Sequence, residues 1–181
     1  MGNRVISGAI LLCLSLVLAG LLAGCLGGQG TPVMLQGVEV RNYSGQLLSS
    51  VNDFRENSIS GPQHVNITGY RLAIDGLVKE NQSLTYDQVL GGFPHYQKVV
   101  TLFCVEGWDV TLLWEGVKVS DLIDAAGADP RANTVIFTAY DGYTSSESLD
   151  YVVRNDILLA YRMNNITIPD ERGYPFMLVA E

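Results

Sequence analysis

Short apolar segments, many of them rich in β-branched residues and separated by glycine or aspartate turns, dominate the chain between residues 70 and 180. Period-two alternation, or a β-branched run bounded by turn residues, is typical of strands. We therefore expect six strands in this part of the chain, at residues 70–76, 98–105, 134–139, 149–153, 157–162 and 176–180.

The predicted helices are few and short. Thr85 and Gln88 have the spacing of a capping box, which predicts a short helix that ends near Gly91. Ser120 as an N-cap and Gly127 as a C-terminal glycine predict a second helix between them. Because strands outnumber helices, the predicted class is α+β, with a mixed β-sheet and short helices.

The N-terminus has the parts of a secretory signal peptide. Arg4 is followed by an uncharged, mostly apolar run over residues 9–22 and by the tetrapeptide Leu22-Ala23-Gly24-Cys25. This tetrapeptide resembles the lipobox of prokaryotic lipoproteins, which implies cleavage after residue 24 and lipidation of Cys25. The alternative is an uncleaved transmembrane anchor, although a spanning helix needs about 20 apolar residues. In both cases we expect the remaining chain at the extracytoplasmic face of the membrane.

We divide the chain into a signal peptide at residues 1–24, a tether and irregular lead-in at 25–58, and one domain at 59–181. The glycine-rich stretch 27–31 is typical of a flexible tether. Asp and Glu outnumber Lys and Arg by 19 to 11, for a net charge of −8. Without a basic run, the chain lacks the usual signature of nucleic-acid binding, so we expect no nucleic-acid partner.

Few residues could bind a metal. Of the three cysteines, Cys13 lies in the predicted signal peptide and Cys25 is the predicted lipidation site, so Cys104 is alone in the domain and has no disulfide partner. Its thiolate would be a soft metal ligand at a strand end, but a lone cysteine in an apolar strand is more often a small buried hydrophobe. His64 and His95 have no ligand-like spacing, and we expect both at the surface or in loops.

Several motifs, in order, resemble those of the molybdopterin-binding oxidoreductase domain. This is the fold of the sulfite oxidase catalytic domain and of the periplasmic methionine sulfoxide reductase catalytic subunit. The resemblance covers about residues 59–181, and its Cys-Val-Glu form is closer to the sulfoxide reductase branch. The matching segments are Tyr70–Gly76, Cys104–Trp108, Trp114–Val117, Asp121–Gly127, Tyr140–Tyr143 and Gly173–Phe176.

The resemblance implies a role for each matching residue. Cys104 would be the single protein thiolate on molybdenum, beside the two dithiolene sulfurs of the pterin. Glu106 would approach the metal or the substrate, and its alternative is a solvated turn carboxylate. Asp141, Gly142 and Tyr143 would form a loop lining the pocket, although Asp-Gly also suits an ordinary turn.

Three features differ from the family pattern. Met177 stands where the family usually carries an arginine, a natural partner for the pterin phosphate. The chain stops at Glu181, before a further strand with lysine and tryptophan, so we expect either a fragment or an incomplete cofactor site. The signal contains Asn3-Arg4 rather than twin arginines, although this cofactor is normally inserted before folded export. All three weigh against a loaded cofactor.

From these observations we predict an extracytoplasmic, lipid-anchored oxidoreductase of the molybdopterin type that transfers an oxygen atom to or from a small substrate. A separate redox partner would exchange electrons with it, because no Cys-X-X-Cys-His haem motif is present. The alternative is a domain that keeps the fold without the cofactor and serves as a surface binding or interaction module.

Overall fold

The computed structural model describes residues 37–53, 55–56 and 58–180, and the predicted signal peptide with Cys25 lies outside them. None of the helices in these residues has the length and apolar character needed to cross a membrane. The elements described are β1 (Asn42–Tyr43), β2 (Gln46–Leu47), β3 (Leu72–Ile74), β4 (Gln82–Leu84), α1 (Tyr86–Gly92), β5 (Tyr96–Phe103), β6 (Asp109–Lys118), α2 (Val119–Ala126), β7 (Thr134–Thr138), β8 (Thr144–Ser148), α3 (Leu149–Arg154), β9 (Leu158–Met163), β10 (Ile166–Thr167), a 3-10 turn (Asp170–Arg172) and β11 (Met177–Val179).

The main sheet has five antiparallel strands in the order β10-β9-β6-β5, with β11 also paired to β9. Three two-stranded sheets surround it, formed by β1 with β2, β3 with β4, and β7 with β8. Short helices lie between the strands. The predicted α+β class, strands with short helices, is therefore confirmed, and every strand pairing described is antiparallel.

The pairing of β6 with β9 contains a β-bulge. Glu115 pairs with Arg162 and Gly116 pairs with Ala160, so Tyr161 is an extra residue on β9. Gly116 is required at this point because a Cβ on it would lie 2.4 Å from the carbonyl oxygen of Leu159. The bulge thus fixes both the register of the two central strands and the placement of Tyr161.

Each face of the main sheet packs against its own apolar cluster. One cluster contains Trp114, Met163 and Val51 among its buried residues. Side chains alternate along a strand, so Val117 points to the opposite face from Trp114. There Val117 packs with buried residues of the two helices α1 and α2, Val89 and Leu122.

The helix ends agree closely with the sequence pattern. Thr85 caps α1, and both hydrogen bonds of its capping box with Gln88 are present. The second helix ends at the left-handed Gly127, as predicted, but it begins at Val119 rather than after Ser120. Its N-cap is Lys118, whose side chain makes no capping hydrogen bond. Strand β6 therefore continues directly into α2.

One predicted strand is wrong. Residues 149–153 belong to helix α3, not to a strand. The side chain of Ser148 accepts a hydrogen bond from the Tyr151 amide and caps this helix, and Arg154 pairs with Asp150 one turn earlier. These local helical interactions prevail over the β-branched pair at 152–153 that suggested a strand.

Residues 37–53 pack onto the domain rather than extending away from it. The amide of Val40 donates to the Asn164 carbonyl at 2.9 Å, and the amide of Ser49 donates to the Thr111 carbonyl at 2.8 Å. Asn164 is fully buried, and its side chain joins Ser49 to Leu113 by donating to one backbone carbonyl and accepting from one backbone amide. The end of the lead-in is thus fixed to the centre of β6.

Candidate functional site

Cys104 begins the turn that joins β5 to β6. Its amide donates to the Trp108 carbonyl at 2.9 Å, and its carbonyl accepts from the Gly107 amide at 3.0 Å. Gly107 has a φ of 87°, a left-handed conformation that favours glycine. The thiol is free and partly exposed. The chain therefore holds a partly exposed cysteine between two paired strands, one residue beyond the end of β5.

Glu106 lies in the same turn and is exposed. Its carboxylate accepts a hydrogen bond from the indole Nε1 of Trp108 at 3.2 Å. Two apolar side chains next to the thiol, Phe103 and Val105, are exposed by 82% and 104%. The turn thus presents a thiol, a carboxylate and two apolar side chains at one end of the main sheet.

The Asp-Gly turn lies at the tip of the β7–β8 hairpin. The Asp141 side chain accepts from the Tyr143 amide at 3.0 Å, and the Gly142 amide donates to the Ala139 carbonyl at 3.0 Å. Gly142 has a φ of 90°, so glycine suits this position. The turn chemistry that the sequence predicted is present, with the Tyr143 side chain more than half exposed.

An open cavity of about 1360 Å³ lies beside this hairpin. That volume exceeds the ~300–1,000 Å³ of typical small-molecule pockets. Asp141 and Tyr143 line it, together with the arginines Arg55, Arg71 and Arg172. The cavity therefore offers cationic and hydrogen-bonding groups along a surface large enough for an extended ligand.

Cys104 and Glu106 are not among the residues that line this cavity, and neither is Gly142. Cys104 precedes strand β6 in the chain. Val119, which lines the cavity, directly follows the last residue of β6. A strand rises ~3.3 Å per residue, so the ten residues of β6 separate Cys104 from Val119, one point on the cavity wall, by roughly 30 Å. The structure thus brings Asp141 and Tyr143 together but leaves Cys104 and Glu106 in a separate turn.

A profile described as the oxidoreductase molybdopterin binding domain matches residues 59–181. The chain belongs to this family. An uncharacterized oxidoreductase YuiH from Bacillus subtilis is 32% identical over 115 residues, which cover 63% of this chain and 58% of that protein. The protein-methionine-sulfoxide reductase catalytic subunit MsrP of Gluconobacter oxydans is 28% identical, covering 61% of this chain and 41% of that protein.

A solved structure supports the fold of the molybdopterin-binding domain. The sulfane dehydrogenase SoxCD from Paracoccus pantotrophus superposes with a TM-score of 0.65 at 21% identity, covering 87% of this chain and 50% of that one. This confirms the predicted likeness to the sulfite oxidase type of fold. The chain spans about half the length of the proteins it matches.

Two groups of residues in this molybdopterin-binding domain suit separate parts of the cofactor by their chemistry, but Cys104 does not line the cavity that contains the arginines. Cys104 is a free, partly exposed thiol, and a thiolate is a suitable ligand for a metal with sulfur partners. Arg71 and Arg172 line a cavity with room for a pterin, and guanidinium groups are good phosphate partners. Met177 also lines the cavity. This wall therefore has a methionine where the family pattern predicts an arginine that could bind the pterin phosphate. The assignments of Cys104, Glu106 and residues 141–143 stay predictions.

Both histidines are exposed, as predicted, but each has a partner that the sequence did not reveal. His64 Nδ1 lies 2.6 Å from Asp170 Oδ2, and Asp170 lines the cavity. His95 Nδ1 lies 2.7 Å from the hydroxyl of Tyr161. His64 and Asp170 are 106 positions apart in the sequence, and His95 and Tyr161 are 66 positions apart. No local sequence pattern could therefore have indicated either contact.

The Tyr161 hydroxyl also donates to Glu115 Oε1 at 2.7 Å. Burial, and then the hydrogen bond to the Glu115 carboxylate, raises the pKa of Tyr161. The phenol therefore stays protonated at neutral pH and remains a donor to Glu115. A polar network inside the sheet thus accompanies the bulge, and no motif in the sequence predicted it.

Proposed function

We propose that this chain is an oxidoreductase that transfers an oxygen atom to or from a small substrate, with Cys104 as the protein ligand of a molybdopterin. The observation that carries the proposal is a free thiol, held on a rigid turn and partly exposed, inside a family match over residues 59–181. When bound, the cofactor would supply a molybdenum centre that changes oxidation state. The names of two relatives, a methionine-sulfoxide reductase and a sulfane dehydrogenase, support chemistry at sulfur.

The chain's own residues would bind and orient the cofactor. Cys104 would hold the metal, and Glu106 would act near it, held by its hydrogen bond to Trp108. Arg172 is a suitable phosphate partner because its Nε donates to the Val51 carbonyl at 3.0 Å, which fixes the guanidinium at the cavity wall. Asp170 also lies at the cavity wall, where its Oδ2 is 2.6 Å from His64 Nδ1.

We also propose that the protein is lipid-anchored through Cys25 and faces the extracytoplasmic side of the membrane. The lipobox-like tetrapeptide at residues 22–25 supports this location. A separate redox partner would exchange electrons with the domain, because the sequence given contains no haem-attachment motif. The small substrate and this partner would meet the protein outside the cytoplasm.

A cofactor-free binding or interaction module is the second candidate. Two observations favour it: methionine stands at position 177, and the cavity that could accommodate a pterin is lined without Cys104. In that case Cys104 would be a small turn residue, and the cavity itself would be the binding surface.

The deciding experiment is metal analysis of the natively purified full-length protein from a molybdate-replete host. We compare wild type with Cys104→Ala, and use Val105→Ala as the matched control because Val105 is the fully exposed neighbour in the same turn. Wild type and the control should retain molybdenum, whereas Cys104→Ala should lose it while its circular dichroism spectrum is unchanged. Equal molybdenum in all three proteins would refute the ligand role, and none in wild type would favour the module.

A further inference from the structure

One edge of strand β7 has no neighbouring strand in the part of the chain that the structure describes, where β7 pairs with β8 alone. Two hydrogen bonds show which backbone groups face β8. The Ala139 amide donates to the Tyr143 carbonyl at 2.8 Å. The Leu149 amide donates to the Asn133 carbonyl at 2.9 Å. Bonded and non-bonded pairs alternate along an antiparallel ladder, so the N–H and C=O groups of residues 134, 136 and 138 point away from β8. We refer to this side of β7 as its free edge.

The free edge borders the large cavity. Every residue from 132 to 141 lines that cavity. Successive side chains of a strand point to opposite faces, so a cavity that meets all of them runs along the edge of the strand. Of β8, by contrast, only Ser145 lines the cavity. The cavity therefore lies on the side of β7 that faces away from β8.

Strand β3 borders the same cavity. Every residue from 70 to 78 lines it, and β3 pairs with β4 alone among the described strands. The walls formed by β3 and β7 are joined at one end, where the Asp129 amide donates to the Leu77 carbonyl at 2.8 Å. Val78 and Ala128 form an isolated bridge at the same end. The cavity thus has two strand edges in its walls, and β7 supplies the longer one.

Exposed apolar side chains are concentrated around this cavity. Five large ones line it and are each between 51% and 70% exposed: Ile59, Leu77, Ile136, Tyr140 and Tyr143. Leu122 and Leu159, which belong to the apolar cluster around Val117, line it as well. A contiguous exposed apolar surface is typical of a site that binds a ligand or a partner protein.

The charges around the cavity favour a basic occupant. Three arginines line it, against five carboxylates, which are those of Glu56, Asp75, Asp141, Asp170 and Glu171. The whole chain has a net charge of −8. Electrostatic complementarity therefore favours a partner that carries lysine or arginine, and it disfavours a second copy of this acidic chain.

We propose that the free edge of β7 is a docking site for a basic polypeptide segment, which binds in an extended conformation as a third strand beside β7 and β8. The outward N–H and C=O groups of residues 134, 136 and 138 pair with the backbone of the segment, and its alternate apolar side chains contact the apolar lining. The cavity volume of about 1360 Å³ exceeds the ~300–1,000 Å³ of typical small-molecule pockets and suits such a segment. The proposal goes beyond the oxygen-transfer function and does not rest on it, because Cys104 does not line the cavity.

The test is fluorescence polarisation with the purified full-length protein and a labelled synthetic probe, Thr-Val-Lys-Val-Lys-Val-Thr. Two matched probes isolate its features. One has glutamate in place of both lysines and tests the charge preference. The other is N-methylated at its backbone amides, so it cannot donate hydrogen bonds to a strand edge. This second probe tests the strand pairing without any change in the protein.

Two proline variants test the edge itself. Ile136→Pro removes an outward N–H of β7 that takes no part in the pairing with β8, and proline is tolerated on edge strands in this orientation. Ser146→Pro is the matched control, because Ser146 is exposed, is the cross-strand partner of Ile136 and does not line the cavity. Ile136→Ala measures the loss of the side chain alone, and circular dichroism checks the fold of each variant.

We expect wild type, Ser146→Pro and Cys104→Ala to bind the basic probe with the same affinity. Ile136→Pro should weaken binding about tenfold, and more than Ile136→Ala does, because a backbone acceptor of the probe loses its partner. The N-methylated probe should not bind, and the glutamate probe should bind more weakly by a margin that shrinks as salt is added. No saturable binding to wild type would overturn the proposal, and so would equal binding by the two proline variants.

If either proline variant loses the native circular dichroism spectrum, the N-methylated probe decides, and binding as tight as that of the unmodified probe overturns the proposal. Sedimentation tests the other occupant. A wild-type dimer that Ile136→Pro converts to a monomer would identify a second copy of the chain and overturn the assignment to a separate basic segment. Molybdenum in wild type without probe binding would overturn the docking site alone, and the proposed oxidoreductase function would stand.

Discussion

Asn164→Ala should be one of the most damaging single changes in the part of the chain that the structure describes. Asn164 is fully buried and has a φ of 45°. Its Oδ1 accepts from the Leu113 amide at 3.0 Å, and its Nδ2 donates to the Ser49 carbonyl at 2.8 Å. One side chain thus joins the lead-in to the central strand β6.

The loss of unfolding free energy in Asn164→Ala can be estimated from these contacts. Alanine leaves the buried Leu113 amide and the part-buried Ser49 carbonyl without their partner, at about 1–3 kcal/mol for each unsatisfied group. Alanine also tolerates the left-handed region less well than asparagine, which adds roughly 1 kcal/mol. The sum is about 3–7 kcal/mol, a large part of the ~5–15 kcal/mol that stabilises a typical domain.

The matched control is Asn165→Ala. Asn165 also has a positive φ, of 66°, but it is exposed, and among the described residues its side chain makes one long hydrogen bond, to the Val38 carbonyl at 3.4 Å. The two variants share the backbone strain, so their difference isolates the buried hydrogen bonds. Equilibrium unfolding in urea measures both. If Asn164→Ala is destabilised by no more than about 1 kcal/mol beyond Asn165→Ala, the reasoning from burial is wrong.

Three further predictions follow from the same contacts and motifs. Gly116→Ala should lose about 3 kcal/mol or more in urea unfolding because its Cβ would meet backbone at 2.4 Å, whereas Gly91→Ala, with open space around it in α1, should gain up to about 1 kcal/mol. Met177→Arg should raise pterin retention about tenfold through a charge-assisted phosphate contact, and unchanged pterin fluorescence would exclude Met177 as the cause of weak binding. Cys25→Ser should move the protein out of the membrane fraction, and an unchanged distribution would favour a spanning anchor.

Features set by neighbouring residues were predictable. The capping box at Thr85, the C-terminal glycine of α2 and the Asp-Gly turn at residues 141–142 depend on contacts within four residues. Helix α3 was missed because Val152 and Val153 match the strand pattern, whereas its cap and its ion pair are weaker signals. Local chemistry therefore gave these helix ends and turns, but the predicted strands did not include β6, which lies between β5 and β9, or β8.

Features that depend on distant residues were not predictable. Tyr161 forms hydrogen bonds with Glu115 and His95, which are 46 and 66 positions away in the sequence. Nothing in the local sequence indicates the β-bulge that positions Tyr161. The absence of Cys104 from the cavity lining was likewise not indicated by any motif. Sequence motifs indicated the candidate site residues, but only the three-dimensional structure showed which of these residues lie together.

The bulge in β9 gives the sheet a way to acquire a polar group without rearranging its neighbours. Ala160 and Arg162 keep their partners Gly116 and Glu115, so removing Tyr161 would leave regular pairing on both sides and every flanking side chain on its present face. Loss of Leu159 instead would transfer the side chains that precede it to the opposite face. A one-residue insertion at position 161 is therefore a small evolutionary step that adds a buried phenol between His95 and Glu115.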